Sequence, residues 1–144
     1  VFESINENIT LRMTAVLDDD EPTQEQLFNL LRLGAEVITE QRELQPVILH
    51  FWAASRGRDF EENYQHAVDA RYSHNPSLCA DIIRAGQVPR EFRKDVVPPT
   101  RAAMVVATID GLGIQLSFDT KLDPRRITEE FGHILYEHLI TESP

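Results

Sequence analysis

The sequence has little of several features that would point to particular functions. It contains one cysteine, Cys79, in 144 residues, which rules out an internal disulfide and predicts a reducing compartment, the cytoplasm. No apolar run approaches the ~18 residues of a membrane-spanning helix, and no signal-peptide pattern opens the chain. The 14 basic residues are outnumbered by 24 acidic ones, for a net charge of −10. We therefore expect no membrane contact and no binding of this chain to a phosphate backbone, which needs clustered lysine and arginine.

Motifs for catalysis and metal binding are equally scarce. Glu130 and His133 form one Glu-x-x-His pair, whereas a di-iron bundle needs two such pairs and two further glutamates. Glu62 and His66 could share a helix face, but two ligands do not close a metal site. No nucleophile motif or phosphate-binding loop is present, and Cys79 is interpreted as a small buried apolar residue. We expect neither metal nor cofactor, and an enzyme is disfavoured, although a site assembled from distant residues stays open.

Helical periodicity runs along the whole chain, with no strand pattern, internal repeat or shift in composition. Thr23 and Gln26 are predicted to form a capping box, and Gly86 suits the cap at the end of a helix. Pro76 requires a helix to kink or restart. Asp123 followed by Pro124 is typical of a helix start. We predict an all-α fold, a bundle of about six helices that forms a single domain over residues 1–144.

The segment from residue 101 to residue 116 is apolar around nearly its whole circumference. It is too long for one strand, and a helix of this kind must be buried on every side. Gly111 and Gly113 cost roughly 1 kcal/mol each inside a helix, and small residues tolerate that cost best where another backbone comes close. These features predict a helix that lies between its own domain and a second subunit. The alternative is the central helix of a monomeric bundle.

The residues around this segment also carry a family resemblance. Gly86, which follows an amphipathic helix, precedes four short motifs and then Gln115; the motifs are Glu91-Phe92-Arg93, Val97-Pro98, Ala102-Ala103 and Ile109-Asp110-Gly111-Leu112. Their order resembles the C-terminal regulatory domain of TetR-family transcriptional repressors, most firmly over residues 83–131. The chain departs from the usual pattern where Pro89-Arg90-Glu91 precedes Phe92. It also lacks the N-terminal helix-turn-helix of such proteins, and because it begins at Val1 we expect it to be a fragment.

The resemblance implies a bacterial regulatory domain with two tasks. A small effector enters a helical cavity, and the domain forms a homodimer whose two states hold N-terminal DNA-binding heads differently. The effector acts only through its different affinity for those two states. Two other classes stay open: a helical interaction domain without a ligand, and a helical-bundle enzyme.

Large side chains with polar tips are concentrated on the middle helices, where pockets of bundles are commonly found. We predict a pocket for a small amphipathic or cationic effector there, with Arg71 and Thr108 as polar anchors; plain core packing is the alternative reading. The predicted ligand-binding residues are Phe51, Trp52, Tyr64, Val68, Arg71, Tyr72, Met104 and Thr108.

The dimer interface is predicted where the apolar helix at about 101–118 lies beside the striped helix at 124–140. Two helices from each subunit would then form a four-helix interface. The predicted contacts are Ala107, Gly111, Gln115, Ile127, Phe131, Ile134 and His138.

Overall fold

The computed structural model describes residues 2–18, 20–54 and 75–140. Within these ranges the chain is helical and contains no strand, which confirms the predicted all-α class. The six helices of the described ranges are α1 (Phe2–Val16), α2 (Thr23–Glu40), α3 (Gln45–Ala54), α4 (Asn75–Gln87), α5 (Pro98–Phe118) and α6 (Pro124–Ile140).

Four of the described helices, α3 to α6, carry proline in the first turn, where a missing N–H costs nothing. Pro76 is the second residue of α4, which fits a helix that restarts there, although the predicted preceding helix falls outside the described residues. Pro98 opens α5. Pro124 opens α6, and the Asp123 carboxylate accepts a hydrogen bond from the Arg126 backbone N–H at 3.2 Å. The predicted cap at Asp123 is confirmed.

The predicted capping box at the start of α2 is wrong. Pro22 is the N-cap residue, and no side chain caps the helix. The Gln26 amide instead donates to the backbone carbonyls of Asp18 and Glu21, at 3.0 and 2.9 Å. The Thr23 hydroxyl donates to Glu91 at 2.5 Å. Both side chains therefore hold other segments against α2, because better-placed acceptors compete with its first turn.

The most enclosed helix of the described fold is α2. It packs against α1, α4, α5 and α6. Its polar Gln26 is buried, and the two hydrogen bonds given above satisfy the amide N–H donors of its side chain. Its buried residues are Gln26, Leu27, Phe28, Leu30, Leu31, Leu33, Ala35, Val37 and Ile38. The core therefore forms around α2, and the other helices lie outside it.

The connection between α4 and α5 is tied to its surroundings, and it corrects the prediction for Gly86. Gly86 lies inside α4 with an ordinary negative φ, so it is not a left-handed C-cap. It is small because the Phe92 ring packs on it, and a Cβ there would lie 2.1 Å from Phe92 Cδ2. Phe92 is buried, and its ring meets Tyr136 edge-on at 6.1 Å. The neighbouring Arg93 backbone N–H donates to the Leu139 carbonyl of α6 at 2.7 Å.

One side of α5 is buried and the other is exposed. The buried residues are Ala102, Val105, Leu112, Gly113 and Leu116. On the other side, Met104 is 53% and Phe118 is 81% exposed, and a Cβ added at Gly111 would meet nothing within 4 Å. The helix is apolar around nearly its whole circumference, as the sequence indicates, but the described part of the chain covers only one side of it.

Candidate functional site

An apolar cavity of about 90 Å³ lies between α1, α2, α4 and α5. Two glycines let α2 and α5 come close together beside it: a Cβ on Gly34 would lie 3.1 Å from Ile109 Cδ1, and one on Gly113 would lie 3.3 Å from Ile38 Cγ2. The lining residues are Ile9, Met13, Leu30, Leu31, Leu33, Gly34, Val37, Ile38, Cys79, Val105, Val106, Ile109 and Asp110. Such a mostly apolar concave site with few polar groups is typical of small-molecule pockets.

The cavity has a buried floor and a partly exposed mouth. Most of its lining side chains are buried, including Cys79 at 1% exposure. Four of its lining residues are half-buried and define the mouth: Gly34, Val106, Ile109 and Asp110. A molecule from solvent would therefore reach the cavity along the edge between α2 and α5.

The polar character of the cavity is confined to its mouth and one wall. Asp110 is the one carboxylate among the described lining residues. On the wall, burial raises the pKa of the Cys79 thiol to about 12. The thiol is therefore neutral and unreactive at physiological pH, since the thiolate is the nucleophilic form. This arrangement offers apolar contact inside and a carboxylate side chain at the edge.

Helix α1 covers the cavity through its apolar side chains and through ion pairs of Arg12 with Glu36 and Glu40 of α2. Ile9 and Met13 are buried, and burial of such side chains contributes about 1.5–3 kcal/mol each. Arg12 donates two hydrogen bonds to Glu40, at 2.6 and 3.1 Å, which lower the pKa of that carboxyl below its usual value. Exposed ion pairs contribute at most about 1 kcal/mol, so the apolar contacts do most to hold α1 in place.

The predicted ligand residues are only partly within the described structure. Tyr64, Val68, Arg71 and Tyr72 lie outside the described residues, as do the side chains of Phe51 and Trp52 in α3. Met104 is half exposed, and the Thr108 hydroxyl donates to the Met104 carbonyl at 2.8 Å. Neither is among the residues that line the cavity. The predicted pocket on the middle helices stays a prediction.

Sequence reasoning missed the cavity, although two signals marked it. Gly34 interrupts the apolar stripe of a helix, and a glycine there often marks a close approach of another element. Asp110 places a carboxylate inside an otherwise apolar run. Which neighbours these residues meet depends on how α2 and α5 cross, and the spacing along one helix does not give that.

The predicted interface residues all lie at the surface of this chain. Ala107, Gln115, Ile134 and His138 are exposed, with Ile134 at 57%. The other three, Gly111, Ile127 and Phe131, are half-buried. On α5 they continue the exposed stripe from Met104 to Phe118, at the three- and four-residue spacing of one helix face.

Other kinds of site find no support in the described ranges. No cluster of three or more histidine, cysteine, aspartate or glutamate side chains there could hold a metal ion. His133 packs its ring against Phe28, with the ring centres 5.1 Å apart. Among the helices described, none has the length and apolar character needed to cross a membrane.

Comparison with known families agrees with the fold. A family model described as the C-terminal part of BetI-type transcriptional repressors matches residues 24–139, most of the chain. The chain therefore belongs to the TetR family of transcriptional regulators, as a C-terminal regulatory domain. Its role is regulatory, in the control of transcription, and regulatory domains of this kind are generally not enzymes. No curated protein and no solved structure matches the chain.

Proposed function

We propose that this domain binds a small amphipathic or cationic effector and thereby controls DNA binding by an N-terminal helix-turn-helix domain, as a repressor. The observation that carries the proposal is the apolar cavity between α1, α2, α4 and α5, whose described lining residues include the carboxylate Asp110 at the mouth. Apolar walls take the hydrophobic part of a ligand, and a carboxylate at the edge favours a positively charged or hydrogen-bonding part.

The cavity is placed where occupancy can affect the N-terminal side of the domain. Ile9 and Met13 of α1 form part of its wall, and α1 opens the chain. A ligand that binds more tightly to one arrangement of α1 shifts the population toward that arrangement. The effector site we predicted on the middle helices, around Trp52 and Tyr72, is a second location for the same activity.

We propose that two copies of the chain associate through the exposed faces of α5 and α6. The support is an apolar stripe that the described part of the chain leaves uncovered, from Met104 through Gly111 to Phe118. Contact with a second copy would bury the stripe and would explain why α5 is apolar around its whole circumference.

DNA contact and catalysis are not assigned to this chain. A net charge of −10 opposes binding to phosphates, which is why the N-terminal domain is proposed to carry the DNA contacts. We propose that the domain acts in the cytoplasm and is not an enzyme, in keeping with its membership of a family of transcriptional regulators.

The effector proposal is tested by titrating the chain with short alkylammonium ions and with matched neutral alcohols. Trp52 is the only tryptophan, so its fluorescence reports on the middle helices, and the melting temperature reports on binding anywhere. A ligand at 100 times its dissociation constant should stabilise the fold by about 2.7 kcal/mol.

The isosteric variant Asp110→Asn separates the two locations. If the cavity is the site, this variant weakens binding of the ammonium ions and leaves the alcohols unaffected. Ammonium binding that changes Trp52 emission and ignores Asp110→Asn would place the effector on the middle helices. An absence of binding by either series would argue against effector control.

A further inference from the structure

The contact between Gly34 of α2 and Ile109 of α5 lies at the mouth of the cavity. Both residues are half-buried and both belong to the lining. A Cβ on Gly34 would lie 3.1 Å from Ile109 Cδ1 and 3.4 Å from its Cγ1 and Cγ2. The isoleucine side chain therefore lies against the bare backbone of α2, in the space that a side chain at position 34 would occupy.

The geometry makes this contact a steric barrier to molecules that approach the cavity from solvent. Glycine costs a helix about 1 kcal/mol relative to alanine, and here it creates the space for Ile109. Isoleucine is branched at Cβ and strongly prefers one χ1 rotamer in a helix. The side chain thus has few ways to move aside unless the helices separate.

We infer that the Gly34–Ile109 contact closes the mouth of the cavity and sets the largest apolar group that can enter. The inference rests on the proposed effector site and names its size class. At about 90 Å³ the cavity is smaller than the roughly 150 Å³ apolar cavity known to accept benzene or xenon. The ligand class is therefore a molecule whose apolar part is smaller than a benzene ring.

Two apolar probes test the size limit: xenon is smaller than the limit, and benzene lies at it. The native chain should bind xenon, detected by its NMR shift, and should bind benzene only weakly, detected by melting temperature. Ile109→Ala removes the steric barrier, and its benzene dissociation constant should fall at least about tenfold below that of the native chain. Ile109→Val, which deletes Cδ1 alone, gives a smaller change in the same direction and serves if the alanine variant folds poorly.

Gly34→Ala tests the other side of the contact. The added methyl group pushes Ile109 toward the cavity, so the xenon dissociation constant should rise about tenfold or more. In the double variant Gly34→Ala with Ile109→Ala, the methyl group no longer meets an isoleucine, and xenon binding should return. This non-additivity is the signature of direct contact.

Ile140→Ala is the matched control for the isoleucine deletion. Ile140 lies at the end of α6 and lines a separate surface groove, so its loss should leave both dissociation constants unchanged. Equal benzene binding by the native chain and Ile109→Ala would overturn the inference. So would unchanged xenon binding in Gly34→Ala.

The effector proposal and this inference fail separately. If xenon and benzene binding are unchanged in Gly34→Ala and Ile109→Ala while alkylammonium binding still depends on Asp110, the size limit is wrong and the effector site stands. If the probes behave as expected but no amphipathic compound binds, the cavity has a size limit without an effector role.

Discussion

Among the described glycines, Gly86 is the one at which an added side chain has the least room. The Phe92 ring is seated on it, and the Phe92 backbone N–H donates to the Gly86 carbonyl at 2.9 Å. We expect Gly86→Ala to destabilise the fold by about 1–3 kcal/mol in urea unfolding, because the ring must leave its buried position. Combining it with Phe92→Leu should cost less than the two single changes added together. A Gly86→Ala chain as stable as the native one would contradict the packing described here.

Cys79 gives the domain a predictable response to alkaline pH. Burial raises the pKa of the thiol from 9.0 to about 12. Above pH 9.0 the unfolded chain loses this proton while the folded chain keeps it, so the free energy of unfolding falls as pH rises toward about 12. The fall attributable to the thiol is at most about 1.4 kcal/mol per pH unit. As pH rises, the free energy of unfolding measured in urea should therefore fall faster for the native chain than for Cys79→Ala. Parallel pH profiles of the two chains would count against a buried, protonated thiol.

Single residues were predictable from the sequence when their partners lie nearby in the chain. Asp123 caps a turn three residues long, so its role follows from local spacing. Thr23 bonds to a residue 68 positions away, and a capping box was predicted in its place. Gly86 was also assigned the wrong role, because its small size makes room for the Phe92 ring and does not serve a positive φ.

At the scale of the helices, α6 depends on its first turn. Asp123 is the N-cap and satisfies the Arg126 N–H, and Pro124 restricts the backbone before the helix proceeds. Asp123→Ala should lower the free energy of unfolding by about 1 kcal/mol. Asp123→Asn keeps the acceptor oxygen, so its free energy of unfolding should remain within about a few tenths of a kcal/mol of the native value. Equal losses in the two variants would indicate that the charge matters and the cap does not.

The helices themselves were well predicted, but their burial was not. Periodicity predicted helices along the whole chain, and the described ranges are helical. Apolar residues around the whole circumference suggested that α5 is enclosed, yet α2 is the enclosed helix despite a polar residue, Gln26, among its buried positions. Side-chain polarity alone could not show this, because Gln26 is buried with its hydrogen bonds satisfied by Asp18 and Glu21.

At the scale of the whole molecule, the uncovered stripe on α5 predicts a two-fold homodimer. Gly111→Arg should dissociate it, because a long charged side chain cannot be buried without a partner. Gly111→Ala adds one methyl group and is the matched control. Sedimentation should give a dimer for the native chain and the alanine variant, and a monomer for the arginine variant. A native chain that sediments as a monomer at micromolar concentration would remove the dimer from the proposal.

The position of α2 also orders the domain by local stability. Four of the other described helices rest on α2, so its backbone amides can reach solvent only when most of the core opens. By contrast α1 packs on α2 along a single face, and it can detach while the remaining helices stay folded. Hydrogen exchange of the native chain should therefore be slowest in α2 and much faster in α1. One wall of the cavity thus belongs to a helix that opens more readily than α2, so the lifetime of that wall is limited by the opening of α1.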